Sequence, residues 1–274
     1  AELADLISGE IQALAGNLEK IKLEPHEVID ATGQIESKPL GMALSQKKRT
    51  EADLQIFLGI HMDTVYSPDH PFQTTTRLDK KRLGGPGVLD AKGGLVVLLI
   101  ALEAFEQSPF ADQIGWEVLL NPDEEIGSPG STDLLVQAAQ RNDLGLVFEP
   151  SLPDGALISS RKGSGNFTLV VRGKTAHAGR DYHLGVNAVH ALADYIVHLM
   201  ELNHPDHGIT INVGRIEGGQ AVNVVPDLAI GRFNIRVNSL QDQHFVEEKL
   251  QQLTSTFSHQ EGITFELHGD FQSG

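Results

Sequence analysis

Apolar positions follow two rhythms along this chain. Leu3, Leu6, Ile7, Ile11, Leu14 and Leu18 recur at helical spacing and predict an opening amphipathic helix. Leu54, Ile56, Phe57 and Leu58 predict a buried strand, which runs straight into Gly59-Ile60-His61-Met62-Asp63-Thr64-Val65. A helix from Asp90 through about Phe105, a strand over 115–120, a helix over 131–141 and a strand over 144–149 continue the alternation. That order predicts a mainly parallel sheet. Residues 24–46 are irregular with room for two short strands, and Lys47-Lys48-Arg49 reads as a solvated basic loop without function. Residues 67–87 form a long loop ending in Gly84-Gly85-Pro86-Gly87, of the kind that is disproportionately functional in compact domains.

From Gly163 the texture changes. A strand over 167–171, a helix over 185–202, strands over 209–216 and 228–237, a helix over 240–257 and a strand over 263–267 give the order βαββαβ. That is the ferredoxin-like arrangement, four antiparallel strands with two helices on one face. The expected organisation is an α/β domain over 1–162, an α+β domain inserted over 163–268, and a start of the return to the first domain over 269–274.

Composition narrows the chemistry. The formal charge is -16, from 21 basic against 37 acidic residues, which repels nucleic acid. With no cysteine, disulfides and thiolate metal sites are excluded, so a metal must be held by imidazole and carboxylate. The longest apolar run, 95–101, is far short of the roughly 20 residues needed to span a bilayer. The opening residues have no basic start or cleavage pattern, and a soluble cytoplasmic enzyme is expected.

His61 and Asp63 leave the carboxyl end of a strand together, where ligand sites of open α/β sheets collect. Three further apolar segments also run into acid: Val88-Leu89-Asp90, 116–120 leading to Asp123-Glu124-Glu125, and 144–148 ending at Glu149. His61, Asp90, Glu125 and Glu149 have the ligand types for a pair of divalent ions sharing one bridging oxygen ligand. Zinc suits this set, with cobalt or manganese as alternatives. Asp63 is placed to accept the second N–H of His61. Adjacent side chains at a strand end point to opposite sides, so Glu125 can ligate while Glu124 faces a water whose pKa the ions lower from 15.7 toward ~7. Gly84-Gly85-Pro86-Gly87 lacks a following Gly-Lys-Ser/Thr and is no phosphate loop.

The same stretches carry a resemblance. His61-Met62-Asp63-Thr64-Val65, Gly85-Pro86-Gly87 with Asp90-Ala91-Lys92-Gly93-Gly94, Asp123-Glu124-Glu125-Ile126-Gly127-Ser128 and Phe148-Glu149-Pro150 resemble the co-catalytic zinc exopeptidases and deacylases. Gly173-Lys174-Thr175-Ala176-His177-Ala178-Gly179 and Gly218-Gly219-Gln220-Ala221-Val222-Asn223-Val224-Val225-Pro226 extend the likeness, which covers Phe57 to Val237. That family includes glutamate carboxypeptidase, succinyl-diaminopimelate desuccinylase, acetylornithine deacetylase and aminoacylase.

The resemblance implies that Asp90 bridges two zinc ions, that His61 and Glu149 complete one site, and that Glu125 serves the other. It further implies Glu124 as general base, Asp63 as orienter of His61, and His177 reaching the active site of a partner subunit to stabilise the oxyanion. Asn223 and Arg236 are implied to contact the substrate's carbonyl and carboxylate. The family takes a last ligand for its second zinc from a histidine in a returning segment of the catalytic domain. His244, His259 and His268 lie in the outer helix and final strand of the second domain and do not replace it. A truncated product of a longer enzyme is therefore expected.

The expected activity is hydrolysis of an amide bond in a small peptide or N-acyl amino acid by a homodimer formed through 163–268. Two rivals stand beside it: a catalytically incomplete fragment serving as a dimerisation module, and a carboxylate-rich magnesium enzyme acting on phosphate esters. His183, His190 and His198 read as surface or interface residues, and Leu192, Ile196 and Leu199 as core.

Overall fold

The computed structural model describes residues 2–14, 16–152, 154–156, 158 and 160–273. The chain divides into two compact units, one of residues 1–26 and 38–158, the other of residues 27–37 and 159–274.

The opening helix α1 (Glu2–Gln12) buries Ile7 and Ile11. It stops earlier than its apolar spacing predicts, because Leu18 belongs to β1 (Asn17–Lys22), an edge strand. A hairpin of β2 (His26–Ile29) and β3 (Ile35–Lys38) follows, turned by Asp30, whose Oδ1 accepts from the amides of Thr32 and Gln34. All but its outermost residues belong to the second unit. The chain returns as β4 (Met42–Lys48) and β5 (Leu54–His61). Two-residue strands β6 (Thr76–Arg77) and β7 (Leu83–Gly84) pair within the long loop. An irregular segment, Val88–Gly93, precedes α2 (Gly94–Glu106), so Asp90 stands before the helix rather than opening it. Then come β8 (Ile114–Asn121), α3 (Thr132–Arg141) and β9 (Leu144–Val147).

The sheet of this unit has the order β1-β4-β8-β5-β9. It is mixed: β8, β5 and β9 are parallel, as the β/α alternation predicts, while β1 and β4 join antiparallel from the irregular region. Helices α1 and α2 cover one face through Ile7, Ile11, Leu95, Leu98 and Leu102 packed on Leu58, Ile60, Trp116 and Val118. On the other face Ala138 and its α3 neighbours pack on Phe57 and Leu119. Lys48 and Arg49 are no solvated loop. Both pair with Glu106 at the end of α2, whose carboxylate also accepts from Trp116 Nε1 at 2.8 Å.

In the second unit β10 (Gly163–Arg172) leads through β11 (Ala176–His177) to α4 (Ala188–Met200). Next come β12 (Thr210–Gly218), β13 (Val224–Val225), β14 (Leu228–Val237), α5 (Leu240–Ser258) and β15 (Thr264–Ser273). Four antiparallel strands in the order β12-β14-β10-β15 make the ferredoxin-like sheet that the sequence predicts. Alternate residues Phe167, Leu169, Val171, Phe233 and Ile235 face Leu192, Tyr195 and Leu199 of α4 and Val246, Leu250 and Phe257 of α5. The hairpin lies against the opposite face: Arg232 Nη2 donates to the Ile29 carbonyl at 2.8 Å and Arg172 Nη2 to the Gly33 carbonyl at 2.5 Å. β15 stays paired with β10 as far as Ser273, so residues 269–273 extend this sheet instead of starting a return. Among the described residues no helix is long and apolar enough to cross a membrane.

Candidate metal centre

Parallel pairing aligns the carboxyl ends of three strands. His61 ends β5 opposite Asn121 of β8, and the Met62 amide donates to the Asn121 carbonyl at 2.7 Å. On the other side β9 pairs with β5 up to Gly59, and the Phe148 amide donates to the Gly59 carbonyl at 3.0 Å, which delivers Glu149 beside His61. Asp90 arrives from the segment before α2. That approach depends on Gly94, where a Cβ would lie 1.9 Å from the Phe148 carbonyl oxygen. Gly87, at φ 64°, turns the same segment where a Cβ would lie 2.6 Å from Thr64 Cγ2.

The result is a triad. His61, with 1% of its surface exposed, directs Nε2 at Asp90 Oδ1 (2.8 Å) and lies 3.6 Å from Glu149 Oε1. Ligand atoms of His61, Asp90 and Glu149 all lie within 4.8 Å of one another, the one such group among the described residues. Its other nitrogen, Nδ1, is 3.2 Å from Asp63 Oδ1. Burial alone would lower the His61 pKa, but the bonds to Asp63 and Asp90 and the charge of Glu149 outweigh it and raise the value to about 9. The pocket thus favours positive charge at this spot. One imidazole and two carboxylates are also a borderline-hard donor set, so these residues fit a divalent ion of the zinc, manganese or cobalt kind.

Glu125, the fourth expected ligand, stands beside the triad and not within it. Its Oε1 accepts from the Val65 amide at 3.0 Å. Burial, and then the nearby Asp90 charge, raise its pKa. Glu124 is half-buried on the same short turn, and no described group donates a hydrogen bond to its carboxylate. Both residues are held through their backbone: Asp63 Oδ1 accepts from the Glu124 amide (3.2 Å) and Oδ2 from the Glu125 amide (2.9 Å).

Two contributors carry no role in the sequence reading. Asp123 is buried and accepts from the amides of Gly130 (2.8 Å) and Ser131 (3.1 Å) and from Ser131 Oγ (2.6 Å), so it shapes the loop that bears Glu124 and Glu125. Its signal is the Gly130-Ser131 pair just before α3. Lys92, half-buried with its pKa lowered by burial, feels the charges of Asp63, Glu125 and Asp90. It is the one cation in the motif Asp90-Ala91-Lys92-Gly93-Gly94.

In the second unit, β11 pairs with β13, setting His177 opposite Val224, and the Ala178 amide donates to the Asn223 carbonyl at 2.9 Å. The structure thus brings His177 and Asn223 together, both exposed. Arg236 is elsewhere: it lies eight residues along β14 from Leu228, roughly 26 Å away at a rise of ~3.3 Å per residue. Its Nε donates to Asn234 Oδ1 at 3.0 Å. His183, His190 and His198 are exposed, while Leu192 and Leu199 are core and Ile196 packs against it.

Residues 159–261 match the peptidase dimerisation domain of the M20 peptidases. Carboxypeptidase G2 of Pseudomonas sp. (strain RS-16) is 32% identical over 202 residues, covering 72% of this chain and 49% of that protein. The chain carries an M20 peptidase dimerisation domain. A protein named probable succinyl-diaminopimelate desuccinylase, from Staphylococcus epidermidis, is 28% identical over 232 residues, 70% of this chain and 56% of its own length. The chain therefore spans about half the length of the curated relatives it matches. In fold, the chain is similar to an M20 metallo-carboxypeptidase of Sulfolobus solfataricus. The TM-score is 0.70 at 18% identity, covering 98% of this chain and 72% of that one.

Proposed function

We propose that the chain carries the metal-binding and dimerisation parts of a zinc-dependent hydrolase that cleaves the amide bond of a small peptide or N-acyl amino acid, as a carboxypeptidase or deacylase. The observation that carries this reading is the convergence of His61, Asp90 and Glu149 beside the Glu124-Glu125 turn. Relatives named carboxypeptidase and desuccinylase support the reaction class.

His61, Asp90 and Glu149 would hold one ion; Glu125, with Asp90 shared, would hold a second. When bound, such ions supply Lewis acidity and lower the pKa of a water. Glu124 accepts a proton, and its carboxylate, free of hydrogen bonds from described groups, is available to do so. Asp63 fixes the orientation of His61. In the second unit His177 donates to the developing oxyanion, Asn223 contacts the carbonyl, and the Arg236 fork takes a terminal carboxylate.

His177 and Asn223 sit at the small β11–β13 pair, just before the Leu228 end of β14, whereas Arg236 lies near the other end of β14. A homodimer through 163–268 reconciles them, each site taking Arg236 from one chain and His177 with Asn223 from the other. Helix α4 and the edge strand β12 are the candidate dimer surface.

The test is Glu124→Ala with N-acetylglutamate and N-benzoylglutamate as probes. Turnover is expected to fall about 10²–10⁴-fold while metal content is unchanged; undiminished turnover overturns the assignment. The match over 159–261 favours a second reading, a dimerisation module without turnover. A dimer in sedimentation that retains no tightly held zinc after dialysis would establish it.

A further inference from the structure

The turn after β11 is capped by its own histidine. The His177 carbonyl accepts from the amides of Arg180 (3.2 Å) and Asp181 (2.9 Å). The ring turns back over the same turn, so that Nδ1 accepts from the amides of Gly179 (3.1 Å) and Arg180 (3.2 Å). Gly179 lies close to the ring: a Cβ there would be 3.4 Å from His177 Cε1 and 3.6 Å from Nδ1, ordinary contact distances. The pairing of β11 with β13 and the bond from the Ala178 amide to the Asn223 carbonyl hold the turn in place.

A neutral imidazole has one N–H and one lone pair in its plane. Two amide protons aimed at Nδ1 require the lone pair there, and a proton on Nδ1 would face both of them and break both bonds. We infer that the amides of Gly179 and Arg180 lock the neutral His177 ring as its Nε2–H tautomer, so that residue 177 offers carbonyl and carboxylate oxygens a hydrogen-bond donor and no acceptor. This rests on the reading that His177 meets the substrate's oxygen, and it sharpens it. A ring held this way polarises a carbonyl but takes no proton from a nucleophile. Proton acceptance is left to a group elsewhere, as assigned to Glu124. Gly179 and Arg180 act as positioning residues through their backbone.

The tautomer is readable without turnover. In the ¹⁵N-labelled chain, at a pH about two units above the ordinary imidazole value of about 6.5, His177 is assigned by the signals missing from His177→Gln. The expected spectrum has Nδ1 in the pyridine-like range, Nε2 in the pyrrole-like range, and a through-hydrogen-bond coupling from Nδ1 to the Gly179 or Arg180 amide. A pyrrole-like Nδ1, or averaged nitrogens with no coupling, overturns the inference. Turnover of His177→Gln, which keeps a donor, against His177→Leu, which does not, is a separate measurement. Equal rates for the two overturn the oxyanion role of His177 and leave the tautomer as the spectrum gives it.

Discussion

Asp63 Oδ2 accepts the backbone amide of Glu125 at 2.9 Å, across 62 residues of chain. The same carboxylate takes the Glu124 amide and His61 Nδ1, so the side chain that orients a candidate ligand also sets the turn bearing the candidate base. Burial would raise the Asp63 pKa, but the bonds from His61 and the Glu125 amide more than offset it and lower the value. Asp63→Ala should leave two amides unsatisfied and cost about 1–3 kcal/mol in urea unfolding. It should also weaken zinc binding about 10–100-fold in a chelator competition. An intact zinc affinity would show that His61 needs no such support.

The triad and Glu125 should separate in metal stoichiometry. Asp90→Ala or Glu149→Ala is expected to abolish tight zinc binding, because each removes one corner of the three-residue group. Glu125→Ala, which touches only the site whose last ligand is expected from a returning segment, is expected to keep the ion held by the triad. Elemental analysis after dialysis against dilute zinc reads the difference, and equal losses for all three would mean a single shared ion.

Glu106 gives the clearest pH dependence. Burial alone would raise its pKa, yet the bonds from Arg49, Lys48 and Trp116 hold it at about 2. In the unfolded chain it protonates near an ordinary value of about 4.3. Folded, it stays charged until about pH 2. Its contribution is therefore complete above about pH 4.5 and is lost as the pH falls toward 2. Glu106→Gln should cost about 1–3 kcal/mol at pH 7 and lose progressively less relative to wild type as acid is added. Parallel wild-type and variant curves between pH 5 and 2 would contradict this.

The strand-end motifs were legible because a buried apolar run ending in a histidine or carboxylate says both where a strand stops and what it delivers. The ferredoxin-like order was legible from alternation at 167–171 and 228–237 for the same reason. What stayed hidden depends on distant partners. Leu18 fits a helical repeat, but antiparallel pairing with β4 draws it into β1. Lys48 and Arg49 look solvated until Glu106, more than fifty residues on, meets them. Asp123 and Glu125 are near neighbours of one composition. Only the hydrogen bonds reveal that one shapes the loop and the other faces the triad.

Gly94→Ala tests how closely the site is built. A methyl group 1.9 Å from the Phe148 carbonyl must move the backbone of α2 or of residues 148–149, and overpacking of this kind costs about 1–3 kcal/mol or more. Zinc affinity should fall together with stability, since Asp90 and Glu149 are pushed apart. A variant that loses stability alone would place the strain away from the ligands.

The hairpin 27–37 makes the second unit discontinuous in the chain. A polypeptide cut to residues 159–274 would lose the cover that Gly33 gives Val170, and would strip the guanidinium groups of Arg172 and Arg232 of their carbonyl acceptors. A single nick near residue 158 would still leave the halves tethered by the strands entering and leaving that hairpin. Swapping this module between relatives therefore calls for two grafted segments, the short one carrying the lid for the bare side of the sheet.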